Sequence, residues 1–374
     1  MSWMREEVEH CPSQYGAIKG SSTTLALVDL FHQLLEGLES PNAYARVLML
    51  DFSKGFDRID HSILLDKLQA NGVHPILVAW QKAFLTQRQQ RIKINDVRSN
   101  WLSINGGVPQ GTLSGPEDFL NFVDDLKSCL PNIKYVDDTT VFEVVKAGQN
   151  SKLQQATDEI MEWTQKNRMK INTSKTKELL IHFNKQEPDI PPVIIQGTPI
   201  ERTNVAKLLG VSINDKLTWN EHVESIHKKA NSRLHYLRLL KRAGVPNEQL
   251  LTAFKALVRS LTEYASQVWS SSLTKTQAET LESIQKRALQ IIKPGQPYER
   301  SLQELRLDTL GDRRNKLNEK LFQDIKTEGH KLHHLLPTSA GHNHHLRNPS
   351  LPLPHTRTKR FKDSFINWSL FHFK

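Results

Sequence analysis

Residues 133–144 read IKYVDDTTVFEV, and two adjacent aspartates, Asp137 and Asp138, interrupt an otherwise strand-like run. Apolar and β-branched residues on both sides favour a pleated, partly buried strand, where Asp is depleted and neighbouring carboxylates repel. Two circumstances make the pair tolerable: a hairpin turn, where Asp is at home, or a divalent cation. The dipeptide means little alone, since a second pair, Asp124 and Asp125, falls in an expected helix. Asp51 adds a third carboxylate. The run AYARVLMLDF (43–52) is apolar without helical spacing, which predicts a buried strand ending near Asp51. A strand-end carboxylate opposite an Asp–Asp turn suits magnesium, which takes a few carboxylates plus phosphate oxygens and water. Neighbouring strands lie about 5 Å apart, so such a set can share two ions at the ~3.5–4 Å spacing used in phosphoryl transfer.

The elements that must position these groups are legible in outline. Helical spacing runs from Thr24 to Leu38, after the caps Ser21 and Ser22. HSILLDKLQANG (61–72) is a helix stopped by Asn71 and Gly72, and HPILVAWQKAFL (74–85) opens a second with Pro75 in its first turn. RQQRIKINDVRSNWLSI (88–104) alternates like two strands around an Asn95–Asp96 turn. GGVPQGTLSGP (106–116) is a Gly/Pro loop feeding a helix over roughly 117–129, and residues 151–169 form an amphipathic helix. TKELLIHF (176–183) and AKLLGVSI (206–213) each read as a strand, separated by a Pro-rich stretch. From Trp219 the chain turns helical, with Val223, Ile226, Ala230, Leu234 and Leu237 on one face and further helices near 247–265 and 275–291. Beyond about 328 it becomes His- and Pro-rich with weak periodicity, a partly disordered tail without the cysteines or regular spacing of a metal site.

Charge is unevenly placed. Residues 1–200 carry 21 Lys and Arg against 24 Asp and Glu (net −3), and residues 201–374 carry 29 against 16 (net +13). A basic half joined to a near-neutral half fits either a polyanion-binding region beside one with another task or simply a solvated basic surface. Only Cys11 and Cys129 are present, which excludes a disulfide framework and fits a reducing compartment. No stretch approaches the roughly 20 apolar residues of a membrane span, and MSWMREEVEHCPSQ lacks the apolar core of a signal peptide. The expectation is an intracellular protein of nucleus or cytoplasm, neither secreted nor membrane-bound.

Five segments occur in one order: LDFSKGFDRIDH (50–61), GGVPQGTLSGP (106–116), YVDD (135–138), INTSKTKE (171–178) and KLLGVSI (207–213). Together they resemble the successive motifs of the reverse transcriptase of non-LTR retrotransposons. The resemblance implies an α+β right-hand polymerase: an antiparallel palm sheet backed by helices, with partial fingers and a helical thumb. The corresponding division is partial fingers at 1–43, palm at 44–217, basic thumb at 218–300 and a C-terminal extension at 301–374. It implies an RNA-directed DNA polymerase that extends a DNA primer on an RNA template with dNTPs. Two magnesium ions, with manganese as substitute, are expected on Asp51 and Asp137, assisted by Asp138. Phe56 matches the bulky side chain that excludes a ribose 2′-OH. Backbone N–H groups from Phe52 through Ser53 and Lys54 to Gly55 match the triphosphate loop. Gln110 and Gly111 match the loop beside the incoming nucleotide and template base. Lys175 matches a lysine that protonates the leaving pyrophosphate, with Lys177 as rival, and LLGV (208–211) the segment that supports the primer end.

The pattern is broken in places. Val136 stands where alanine is more usual, a change expected to preserve the turn. Gly55 also replaces alanine and is expected to loosen the backbone beside Phe56. Glu117 and Asp118 stand where apolar residues are commoner, a substitution that a helix N-terminus favours. SQYGAIKGSSTT (13–24) resembles only the last fingers motif, with Ile18 and Lys19 where arginine is common, so an N-terminally truncated enzyme is expected, with a separate endonuclease among its candidate partners. The alternative is an inactive relic that binds nucleic acid. Intact Asp51, Asp137 and Asp138 favour the enzyme, and the shortened fingers favour the relic.

Overall fold

The computed structural model describes residues 11–109, 111–337 and 351–373. The chain forms two compact units, one holding Tyr44–Asn204 with the segment before Leu27, the other holding Leu27–Ala43 with the chain from Val205 onward. Helix α1 (Thr23–Gly37) therefore contributes most of its length to the second unit.

The first unit is built on a five-stranded sheet. Its centre is β1 (Tyr44–Leu50), the apolar YARVLML run expected to be a buried strand. Beyond β2 (Asn132–Tyr135), β3 (Asp138–Val145) pairs antiparallel with β1 on one side, and β4 (Lys177–His182) does so on the other. The outer strands are β2, antiparallel to β3, and β5 (Glu201–Thr203), parallel to β4. Four helices accompany the sheet: α2 (His61–Ala70), α3 (Pro75–Leu85), α4 (Ser114–Val123) and α5 (Leu153–Lys166). Leu48, Leu50, Phe52, Phe119, Phe122, Val141 and Ile160 share one apolar core. Helix α2 begins where the Asp60 carboxylate accepts from the N–H groups of Ser62 and Ile63. Helix α4 starts and stops earlier than its sequence suggests. Its last carbonyls are taken by Lys134 Nζ from β2, at 3.0 Å from Val123 O and 3.3 Å from Asp124 O. Burial lowers the pKa of that lysine, and contact with the negative end of a helix is the placement that best retains its charge.

Within the sheet Arg46 of β1 meets Glu178 of β4 at 2.7 Å, and both are buried. The guanidinium also donates to Ser151 Oγ and Pro191 O, while Arg202 reaches Glu178 at 3.3 Å. Buried charges of this kind persist because every one has a partner.

The second unit opens with a departure. AKLLGVSI is not one strand but two, β6 (Val205–Leu208) and β7 (Val211–Asn214), paired antiparallel. The chain reverses at Leu209 (φ 43°) and Gly210 (φ 86°), both left-handed, the conformation that two-residue hairpins demand. The Tyr264 hydroxyl donates to Leu209 O at 2.7 Å. Helix α6 (Asn220–Arg242) buries Val223, Ile226, Ala230, Leu234 and Leu237, the expected face. The helix expected over 247–265 is broken by five residues of wider turn, Lys255–Arg259. Helix α7 (Lys275–Ile292) starts at a reciprocal Thr274–Gln277 cap, and α8 (Leu310–Lys326) follows. Residues 338–350, the middle of the tail expected to be partly disordered, lie outside the described residues. After them α9 (Phe365–His372) forms and buries Phe365, Ile366 and Leu370. Among the described residues no helix is long and apolar enough to cross a membrane.

Candidate active site

The hairpin between β2 and β3 answers half of the question raised by IKYVDDTTVFEV. Tyr135 pairs with Asp138, so Val136 and Asp137 form a two-residue turn, with Val136 at φ 59°. A β-branched residue is strained there. The turn is held from outside. The Gln14 side-chain oxygen accepts from Val136 N at 3.1 Å and from Gly16 N at 2.9 Å, while Tyr15 N donates to Lys134 O and Lys134 N to Ser13 O. A Cβ on Gly16 would lie 2.4 Å from Val136 N and 2.8 Å from Tyr135 C, so only glycine lets this strap close on the turn.

Strand β1 presents the third carboxylate. Leu50 pairs with Thr139, and one further step of that register sets Asp51 across from Asp138. The backbone of Asp51 is braced by the INTSKT segment: Asn172 N donates to Asp51 O at 2.8 Å, and Asp51 N reaches Thr176 Oγ1 at 3.3 Å. Asp137 and Asp138 are solvent-exposed and Asp51 half-buried. Surrounding protein raises the pKa of Asp138, and the neighbouring charges of Asp137 and Asp51 raise it further. Among the described residues no lysine, arginine or histidine forms an ion pair with any of the three. Nor do three ligand side chains close on one point among them. The arrangement is an open, mutually repelling set of oxygens rather than a finished cage, and its chemistry fits a hard divalent cation whose remaining ligands come from substrate and water.

Lys175 is exposed in the turn that braces Asp51, whereas its rival Lys177 is ion-paired with Glu201. Phe56 heads a short turn over Phe56–Arg58, half-buried, its ring stacked on Phe119 at 4.6 Å between centroids. Gly55 is buried and takes right-handed backbone angles, φ −46° and ψ −54°. A Cβ there would come within 3.1 Å of the Phe119 ring, so glycine makes room for the stack. Of the expected phosphate-loop donors, Ser53 N is already committed to Lys170 O at 2.8 Å, Phe52 is bridged to Ile171 and buried, and Lys54 is exposed at φ 52°. The second loop lies on the first: Gly107 N donates to Ile59 O and Val108 N to Phe56 O. Gly107 has φ 79°, and a Cβ on it would lie 2.8 Å from Asp57 Cα, an approach that only glycine permits. Gly111 is also left-handed, at φ 80°, while Gln110 lies outside the described residues.

Between these loops opens a cleft of about 740 Å³ lined by Lys54, Arg58, Arg88, Gly106, Gly107 and Pro109 among others. Arg58 and Arg88 were not expected from the motifs. Arg88 had a faint signal in the basic QRQQR run; Gln14 and Gly16 stood in a segment matched only as fingers, because their role at the turn depends on a strand partner more than a hundred residues away. Glu117 and Asp118 are buried rather than solvated at the start of α4. Gln81 Nε2 donates to Asp118 at 2.6 Å, and burial followed by the Glu117 charge pushes the Asp118 pKa up to about 7.

Comparison with known proteins places this geometry. Residues 3–219 match the family model "Reverse transcriptase (RNA-dependent DNA polymerase)". A shorter match, residues 219–257, is to the N-terminal segment of alkylated DNA repair protein alkB homolog 8. The chain is 25% identical over 335 residues to the probable RNA-directed DNA polymerase from transposon X-element of Drosophila melanogaster, covering 85% of this chain and 36% of that protein. It is likewise 25% identical over 346 residues to the RNA-directed DNA polymerase from mobile element jockey of the same fly, covering 87% and 36%. The chain thus spans about a third of the length of these relatives. Among solved structures, telomerase from Candida tropicalis in complex with a TWJ fragment of telomeric RNA aligns with a TM-score of 0.46 at 12% identity, over 89% of this chain and 49% of that one. By its family match, its motifs and its palm sheet, the chain belongs to the reverse transcriptase family, in the LINE-type branch of non-LTR retrotransposons.

Proposed function

We propose that the chain is an RNA-directed DNA polymerase of a retroelement, extending a DNA primer on an RNA template. The observation that carries this reading is the set Asp51, Asp137 and Asp138, gathered at one end of the palm sheet with no counter-charge among the described residues. Two magnesium ions, or manganese in their place, would neutralise these carboxylates and supply the Lewis acidity for attack of a primer 3′-OH on the α-phosphate of a dNTP. Asp51 and Asp137 would hold them, with Asp138 assisting. Lys54, Arg58 and Arg88 make the adjoining cleft attractive to a triphosphate. Phe56, fixed against Phe119, places a rigid ring where a ribose 2′-OH would have to fit. Exposed Lys175 is the proton donor to departing pyrophosphate. The basic helical unit, as thumb, follows duplex phosphates through sequence-tolerant contacts. The intact carboxylates favour this reading over an inactive relic.

Primed RNA with dNTPs and magnesium should be extended. Asp137→Asn should lower the extension rate at least about a thousand-fold, the several kcal/mol a bound metal contributes, at unchanged hybrid affinity. Wild-type chain that binds the hybrid and never extends it would leave only the nucleic-acid-binding relic.

A further inference from the structure

Residues 88–104 form a hairpin whose role none of the motifs covers. Gln89–Gln90 pairs with Leu102–Ser103, and Lys93–Ile94 with Val97–Arg98, around the Asn95–Asp96 turn. Near the tip Lys93 lies opposite Arg98 and Ile94 opposite Val97. Between the two paired segments the Arg91 guanidinium lies over the Trp101 ring, 4.4 Å from its centroid. Trp101 is 55% exposed, and Arg91, Lys93 and Arg98 are all in solvent. None of these cations has an acidic partner among the described residues, and residues 79–104 hold five basic side chains against the single acid Asp96.

The hairpin is continuous with the cleft. Arg88, Gln90 and Ile104 at its base line the same cavity as Lys54, Arg58 and Gly107. Next to that base a second aromatic–cation series stands on α3: Trp80 is 47% exposed and stacks on Phe84 at 5.7 Å with the rings 4° apart, and Arg88 lies over Phe84 at 5.1 Å. Exposed rings interleaved with unpaired cations are what a single nucleic-acid strand requires. Bases stack on the rings and phosphates meet the cations, without regard to sequence.

We propose that the Arg91–Trp101 face of this hairpin is a platform for the unpaired template strand leaving or entering the cleft. The proposal rests on the polymerase reading for the direction of the strand, but its chemistry is separate from the carboxylates. Base faces and phosphates are common to RNA and DNA, so both kinds of strand should be held.

The experiment compares binding of the full chain to a blunt RNA–DNA hybrid and to the same hybrid carrying a single-stranded template extension, of RNA or of DNA, by fluorescence anisotropy. Either extension should tighten binding by about tenfold, the effect of one or two stacked bases. The double variant Arg91→Ala/Trp101→Ala should lose that gain while binding the blunt hybrid as before. Lys93→Glu, which leaves the ring in place, should weaken extended hybrids only and flatten their salt dependence by roughly 0.7 for each phosphate no longer neutralised. Equal weakening on blunt and extended hybrids, or none on either, would overturn the platform. So would a change of oligomeric state with the extension gain intact, which would make the hairpin a protein interface instead. Both readouts are of binding, so a chain that shows the extension gain yet never polymerises would overturn the polymerase reading and leave the platform standing.

Discussion

The chain carries two Asp–Asp pairs in its first unit, and the fold treats them oppositely. Asp124 and Asp125, just past the end of α4, are answered by the protein. Cys11 N donates to Asp124 at 2.7 Å, and Lys67 Nζ and Trp163 Nε1 donate to Asp125 at 2.6 and 2.9 Å. Asp137 and Asp138 receive no such ion pair among the described residues and have Asp51 added to them, so that surrounding protein first, and then their mutual repulsion, raise the pKa of Asp138. A dipeptide therefore does not decide function. What decides it is whether the fold supplies the counter-charge. Where it does, the charges are structural; where it leaves a repelling set in a strained turn, the oxygens stay open to ligands from solution.

The sharpest way to break this contrast is to move the unanswered pair without touching a carboxylate. Gly16→Ala would drive a Cβ onto the backbone of Val136 and Tyr135, neither of which can rotate away. Stability should fall by about 1–3 kcal/mol, as for other overpacked sites, and the extension rate by roughly a hundred-fold for a displacement near 1 Å. Full activity in single-turnover assays would show that the strap does not position the turn. The answered pair should respond differently. Lys67→Ala removes a cation that donates to Phe122 O at 2.6 Å as well as to Asp125, and that lies over the Phe122 and Trp163 rings. A loss of about 2 kcal/mol in urea denaturation is expected, with magnesium titration of the folded protein unchanged.

Much of this contrast was legible in the chain itself. The apolar run of β1, the turn chemistry of Asn71–Gly72 and the single apolar face of α6 each follow from local rules, and five motifs in order located the carboxylates. What local rules missed lies in long-range partners. Gly210 is the one local turn signal, but Leu209 before it carries none, so β6 and β7 read as one strand until Tyr264 is seen on the turn. The early end of α4 is set by Lys134, and the posture of the Asp137 turn by Gln14, each from another element. The setting of Gly55 is likewise invisible locally, because the ring beside it, Phe119, stands on α4.

A third carboxylate environment refines the comparison. Asp118 is buried beside Glu117 with one donor, Gln81, and no cation among its described contacts, and its pKa stands at about 7 against an ordinary 3.8. The folded state holds a proton that the unfolded chain releases near 4. The stability this group contributes is therefore complete below about pH 4 and is lost as pH rises through 7. Asp118→Asn keeps the shape and cannot ionise. It should raise stability at pH 8 by about 1–2 kcal/mol, less than the full linkage because the site relaxes around the charge, and should flatten thermal stability between pH 5 and 8. An unchanged pH profile would mean that Asp118 is ionised and compensated in the fold, as Asp125 is.

The smallest effect belongs to the strain in the turn itself. Val136 holds φ 59°, where a β-branched side chain costs about 1–3 kcal/mol, yet it also packs half-buried against the core of the first unit. Val136→Ala trims the branch that crowds the left-handed backbone and gives up part of that packing, at up to about 0.8 kcal/mol for each buried methyl. The two changes nearly cancel, so stability should rise by less than about 1 kcal/mol, with the Gln14 hydrogen bond to the 136 backbone intact and extension unchanged. If stability fell by more than that, packing would outweigh strain, and the turn would owe its shape to the valine. If stability rose while extension fell, the strained conformation would itself be part of how Asp137 is presented, the stability–function exchange expected of a site whose charges the fold leaves unanswered.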